Sequence, residues 1–138
     1  MRYMIIVKAS KDSEAGVMPG EALLSEMQKY HEELARAGVL VDGSGLKPSS
    51  KGWRIRYSGD KRTYIDGHFA ETKELIAGYT IINVKSLQEA IEWTKRFPNP
   101  AGNGKAGEIE VREFFELEDF EPSATIEKFR EMGMGGRK

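Results

Sequence analysis

Arg2-Tyr3-Met4-Ile5-Ile6-Val7-Lys8-Ala9 is short, aliphatic and apolar on both alternating sets of positions, which is the pattern of a strand covered on both faces. It predicts a strand at the centre of a sheet. Residues 75–84, Leu75-Ile76-Ala77-Gly78-Tyr79-Thr80-Ile81-Ile82-Asn83-Val84, read the same way and predict another core strand. Between them, a polar loop over residues 10–18 leads to Pro19, placed where the first turn of a helix accepts it. Leu23, Met27, Tyr30, Leu34 and Ala37 then recur at helical spacing until Gly38 stops the run. Val39-Leu40-Val41 opens a further strand, which Gly43 and Gly45 loosen ahead of Leu46 and Pro48. Trp53, Ile55 and Tyr57 alternate with Arg54 and Arg56, Ser58-Gly59-Asp60 turns, and Thr63-Tyr64-Ile65 returns, a hairpin with one apolar and one basic face. Beyond residue 84, Ser86 and Glu89 form a capping box for a helix with the inward stripe Leu87, Ala90, Ile91, Thr94 and Phe97, ended by Pro98. Residues 98–104 are loop, and Ile109, Val111 and Phe115 alternate on a last strand. Ser123 then caps a short helix carrying Ile126 and Phe129, ahead of a tail from Met132 to Lys138 that is expected to be disordered.

This order predicts an α+β, ferredoxin-like fold: a split β-α-β antiparallel sheet with helices on one face and an inserted β-hairpin. The helices cover only one face, yet the central strands are apolar on both. With no further strong helix in the chain, the economical cover is a second copy in an isologous contact. The expected assembly is a homodimer with facing sheets, burying at or above ~1,600 Å². A pocket is expected between the sheet and the hairpin.

The 138 residues, 39% hydrophobic and 31% charged, form one domain with a short tail. Cysteine is absent, which excludes disulfide scaffolds, thiolate zinc sites and cysteine nucleophiles. Lys and Arg total 21 against 22 Asp and Glu, a charge of −1, so no basic field recommends nucleic acid or an anionic membrane as a partner. The apolar runs fall far short of a bilayer span and nothing reads as a signal peptide, so the expectation is a soluble cytoplasmic protein. With 2 His and no His-x-x-x-His spacing, no metal site is expected. Gly43-Ser44-Gly45 and Gly133-Met134-Gly135-Gly136 lack the strand and helix context of phosphate loops, and no cofactor is expected.

The candidate site residues are few. His31 lies near the edge of the buried face of its helix, either as a general base opening into a cavity or as a half-buried histidine satisfied by a backbone carbonyl, Glu32 or Glu33. Asp66 and His68, two apart, present a carboxylate that can orient an imidazole, or else a turn in which Asp66 bonds backbone amides around Gly67. Asp42 joins them as a titratable group to be tested for convergence on one cavity. Glu71, Lys73 and Glu74 offer charges that can grip a ligand or simply face solvent; Asp66, His68, Glu71 and Lys73 are the ligand-binding candidates. Arg54, Arg56, Lys61 and Arg62 make a basic strip that suits phosphate or an acidic surface, or solvent alone.

Several blocks together resemble a known family. Met1-Arg2-Tyr3-Met4, Ala37-Gly38-Val39-Leu40, Gly43-x-Gly45-Leu46-x-Pro48, Asp66-Gly67-His68-Phe69-Ala70-Glu71-Thr72-Lys73-Glu74, and Ser86 through Trp93 to Pro98 are similar to the YCII-related family, and most closely to its branch named for an Asp-Gly-Pro-Phe motif. The resemblance covers residues 1–117, leaving 118–138 as a C-terminal tail. It implies a ferredoxin-like fold assembling as a dimeric α/β barrel. The family's founding branch carries a His and an Asp suspected of catalysis; the corresponding positions here are Met27 and Phe97-Pro98, so that role does not carry over. His68 stands where the motif has Pro. The branch's fusions to sigma-factor domains imply a possible partner in transcription initiation. Two function classes therefore stand at this level: a protein that binds a small organic molecule between sheet and hairpin, with or without cofactor-free acid–base chemistry, and a non-enzymatic module acting with a sigma factor.

Overall fold

The computed structural model describes residues 1–102 and 104–136. The elements in chain order are β1 (Arg2–Lys8), α1 (Lys11–Glu14), α2 (Glu21–Arg36), β2 (Leu40–Gly45), β3 (Trp53–Ser58), β4 (Lys61–Asp66), β5 (Ile76–Asn83), α3 (Leu87–Lys95), β6 (Ile109–Glu113) and α4 (Ala124–Glu131). One-turn 3₁₀ helices lie at Ser49–Lys51, Thr72–Glu74 and Leu117–Asp119. The main sheet has the order β2-β5-β1-β6 with every neighbouring pair antiparallel, the ferredoxin-like arrangement. The two strands that are apolar on both faces, β1 and β5, occupy its two central places.

Register divides the side chains between the faces. Tyr3 lies opposite Ile82, and Ile5 opposite both Thr80 and Val111; these point to the helices. Tyr3, Ile5, Ile82 and Val84 close a core with Tyr30 and Leu34 of α2 and Ala90 of α3. On the other face Met4 pairs with Ile81 and Ile6 with Tyr79, and all four remain half-buried. The sheet thus has a packed face and an open one.

Several local expectations are corrected. Residues 10–18 are not all loop, because Ser10 and Ser13 cap α1 reciprocally. The glycines of β2 do not loosen it: the strand runs to Gly45, held close to β5 where a Cβ on Gly78 would stand 2.9 Å from the Ser44 carbonyl oxygen. The capping box of α3 is half formed. The Ser86 hydroxyl accepts from the Glu89 amide at 3.1 Å, but the Glu89 carboxylate accepts from Lys85 rather than Ser86. Leu87 and Ala37 are exposed rather than inward, and Phe115 lies beyond β6, its ring 5.4 Å from that of Phe120. Past α4, residues 132–136 lie at the end of the sheet, with Gly136 against Arg2 and Gly135 against Leu117. Arg137 and Lys138 lie outside the described residues. No helix among the described residues is long and apolar enough to cross a membrane.

The hairpin β3–β4 is a separate two-stranded sheet. Gly59, at φ +60°, makes its turn possible. Trp53, Ile55, Tyr57 and Tyr64 share one face and are exposed.

Candidate functional site

The Asp66–Phe69 motif is a structural joint. The Gly67 amide donates to the Gly52 carbonyl at 2.9 Å, and the Phe69 amide to the Ser49 hydroxyl at 3.1 Å. Ser49 in turn donates its amide to Glu14 at 2.8 Å and its hydroxyl to the same carboxylate. The Arg54 guanidinium lies 3.7 Å from the centre of the Phe69 ring. The foot of the hairpin is thereby fastened to the Ser49 turn and to the end of α1. Gly67 does not have a positive φ. Glycine is needed there for another reason: a Cβ would overlap the Ser49 carbonyl oxygen and come within 2.6 Å of its carbon.

Asp66 and His68 are both exposed, and no hydrogen bond joins them. The Asp66 carboxylate accepts from the Tyr64 hydroxyl, and this bond pushes the Tyr64 phenol pKa up. The partner of Asp66 is thus Tyr64, two residues back on the same strand, and not the amides around Gly67. His31 is half-buried and committed at both nitrogens. Nδ1 lies 2.7 Å from the Met27 carbonyl oxygen, which can only accept, so Nδ1 carries the proton; Nε2 then accepts from the Thr80 hydroxyl at 2.8 Å. Thr80 is buried. The ring meets Tyr30 and Phe97 edge-on. His31 therefore sits as a satisfied histidine between helix and sheet rather than opening into a cavity. Beside it, Tyr30 donates to the Trp93 carbonyl at 2.6 Å. Burial pushes its phenol up to about 12, with Arg96 opposing and Glu33 adding to the shift.

Asp42 lies on the open face of the sheet, across from Ile81. Its carboxylate accepts from the Gly43 amide at 2.8 Å and the Tyr79 hydroxyl at 3.0 Å. His31 reaches Thr80 on the packed face, so the sheet separates the two. His31, Asp42, Asp66 and His68 do not converge.

The cavities lie elsewhere. Two of them are lined by no hairpin residue. The first, about 250 Å³, opens at the foot of the central strands, where Lys8 of β1, Ser10 and Ser13 of the α1 cap, Lys73 of the 3₁₀ turn, Ala77 of β5 and Glu108 meet. Lys73 is the one candidate it shares with the sequence reading; Glu71 and Glu74 are exposed neighbours. Lys8 approaches Glu110 to 3.9 Å, whereas no ion pair engages Lys73 among the described residues. The Ser10-x-x-Ser13 spacing was a legible signal for the missed serines, since it is a capping pattern. The second cavity, about 440 Å³, lies around Arg2, Asn83 and Met134. There Arg2 is bound twice by Glu116, at 2.9 and 3.1 Å, and lies over Phe114, a clamp for the C-terminal segment. Among the described residues no three His, Asp or Glu gather as metal ligands.

Comparison with known proteins places this geometry. The uncharacterised protein R00369 of Rhizobium meliloti (strain 1021) is 30% identical over 92 residues, which span 67% of this chain and 73% of that protein. A solved structure of 5-chloro-2-hydroxyhydroquinone dehydrochlorinase (TftG) from Burkholderia phenoliruptrix AC1100, in complex with 2,5-dihydroxybenzoquinone, is similar with a TM-score of 0.42 at 13% identity, over 88% of this chain and 100% of that one. That similarity is too slight to carry anything from the enzyme to this chain. The YCII-related domain model matches residues 1–118, nearly the whole span from β1 to the Arg2–Glu116 clamp, and the chain belongs to that family.

Proposed function

We propose that this YCII-related protein binds a small organic anion, such as a carboxylate or phenolate, in the cavity at the foot of β1. The observation that carries the reading is the placement of Lys73, which no ion pair engages among the described residues, beside a second lysine and two serines at a recess of about 250 Å³, enough for a small molecule rather than a polymer. Lys8 and Lys73 come from different elements, so their convergence is a product of the fold. Among the described residues Glu108 is the one carboxylate bordering the cavity, and it would take the proton in any acid–base chemistry there. Thermal unfolding against a panel of small carboxylates and phenols is the test. At least one member should raise the unfolding temperature, and Lys73→Glu should abolish the rise; a panel that never stabilises the wild type, or stabilises Lys73→Glu equally, sinks the reading. The alternative, a module acting with a sigma factor, would need an exposed apolar surface, and the aromatic face of β3–β4 is one such surface.

A further inference from the structure

The cavity at the foot of β1 carries charges of both signs that do not meet. Lys73 and Glu108 both border it and are exposed, and no ion pair joins the two or engages either elsewhere among the described residues. The fold holds them apart. The Lys8 amide donates to the Glu108 carbonyl at 3.1 Å and the Ala9 amide to the Leu75 carbonyl at 2.9 Å, so the segment leading into β6 and the segment leading into β5 flank β1 from opposite sides, two strand spacings or ~10 Å between their main chains. Lys8 differs from Lys73: its side chain is 19% exposed and its ammonium already stands 3.9 Å from Glu110. Two lysines against Glu108 and Glu110 leave this corner without net charge, so a dianion such as a phosphate ester or a dicarboxylate would meet a like charge beside each lysine it gained. A simple carboxylate on Lys73 would cover Glu108 and leave it short of both water and a partner.

Between the charges the lining is short and apolar, with Val7, Ala77, Pro100, Ala101 and Ala106. Asn99 sets the outer wall: its side-chain amide donates to the Lys105 carbonyl at 2.9 Å, and its side-chain oxygen accepts from the Ala101 amide at 3.0 Å. A Cβ on Gly107 would overlap that same oxygen and stand 3.1 Å from the Ala101 methyl, so the backbone at Gly107 closes directly on the brace. The volume of about 250 Å³ falls below the roughly 300–1,000 Å³ of sites for drug-sized ligands. It calls for a body of a few carbon atoms. Building on the anion-binding reading above, we propose that the ligand of this cavity is a free amino acid with a short aliphatic side chain, its carboxylate on Lys73, its ammonium on Glu108 and its side chain against Val7, Ala77 and Ala101. Such a ligand brings both signs of charge itself and leaves neither protein group unpaired.

The test is calorimetric titration of the full chain with matched pairs that differ only in the amine: glycine and acetate, alanine and propionate, valine and isovalerate. In at least one pair the amino acid should bind tighter by about tenfold or more, and isobutylamine, which keeps the amine of valine without its carboxylate, should bind at least as much more weakly than valine. Glu108→Gln should bring amino acid and carboxylate to equal affinity, whereas Lys73→Gln should weaken both. A set in which no amino acid outbinds its partner, a tighter grip on succinate or inorganic phosphate, an amine that binds as well as valine, or a Glu108→Gln chain that keeps the preference would each overturn the proposal. The two readings fail separately. Binding of carboxylates without preference for the amine removes the amino acid and leaves the anion site, while a chain that binds no carboxylate and no phenol removes both. Should Glu108→Gln fail to fold, the matched pairs on the wild type still decide.

Discussion

At Gly67 the decisive atom belongs to a residue 18 positions away in the chain. Gly67→Ala is expected to cost at least ~2–3 kcal/mol, read as a lower urea midpoint at unchanged slope, because the methyl would have to displace the Ser49 carbonyl. The importance of the Asp66-Gly67-His68-Phe69 motif was legible in the sequence; the reason was not, since local pattern offered a turn braced by Asp66 and only the fold brings Ser49 and Gly52 against it. His31 shows the same limit. Its place at the edge of the α2 stripe was readable, but not its partner Thr80, which comes from a distant strand. His31→Ala should act on stability, by ~1–3 kcal/mol for the buried Thr80 hydroxyl left without its acceptor, and should leave ligand affinity at the Lys73 cavity unchanged. Calorimetric titration of the variant with whichever anion stabilises the wild type checks this, and a lost affinity would return His31 to the site.

Between elements, the hydroxyl of Tyr30 joins α2 to the end of α3 through the Trp93 carbonyl. Its folded pKa, near 12 against an ordinary 10.0, has a definite sign in stability. The folded state holds this proton more tightly than the unfolded chain, so the contribution is whole below pH 10 and is lost as pH climbs towards 12. Tyr3, raised by burial and by Glu113, acts in the same direction. Tyr30→Phe should therefore cost ~1 kcal/mol at neutral pH and flatten the alkaline limb of a stability–pH curve; an unchanged limb would show that other groups set it. The link between α1 and the hairpin foot is a single carboxylate, so Glu14→Ala should speed amide exchange at Phe69 and along β4 more than in the main sheet. Helix stripes, the hairpin turn and both central strands could be read from spacing. What spacing could not supply were α1, hidden in a polar stretch, and the exposed positions of Leu87 and Phe115, which depend on where neighbouring layers end.

On the scale of the whole molecule, two strands that are apolar on both faces were enough to place the middle of the sheet, and with it the ferredoxin-like order. The site was far less legible, because Lys8, Ser10, Lys73 and Glu108 belong to segments scattered along the chain and share no motif. The same sheet order also bears on synthesis. Strand β1 pairs only with β5 and β6, and its full ladder with β5 runs from Lys8 opposite Ile76 to Arg2 opposite Asn83. A chain growing on the ribosome thus makes β1 ahead of both its partners and has no ladder for it until residues 76–83 have emerged, so throughout that interval Tyr3-Met4-Ile5-Ile6-Val7 is a ready binding segment for chaperones.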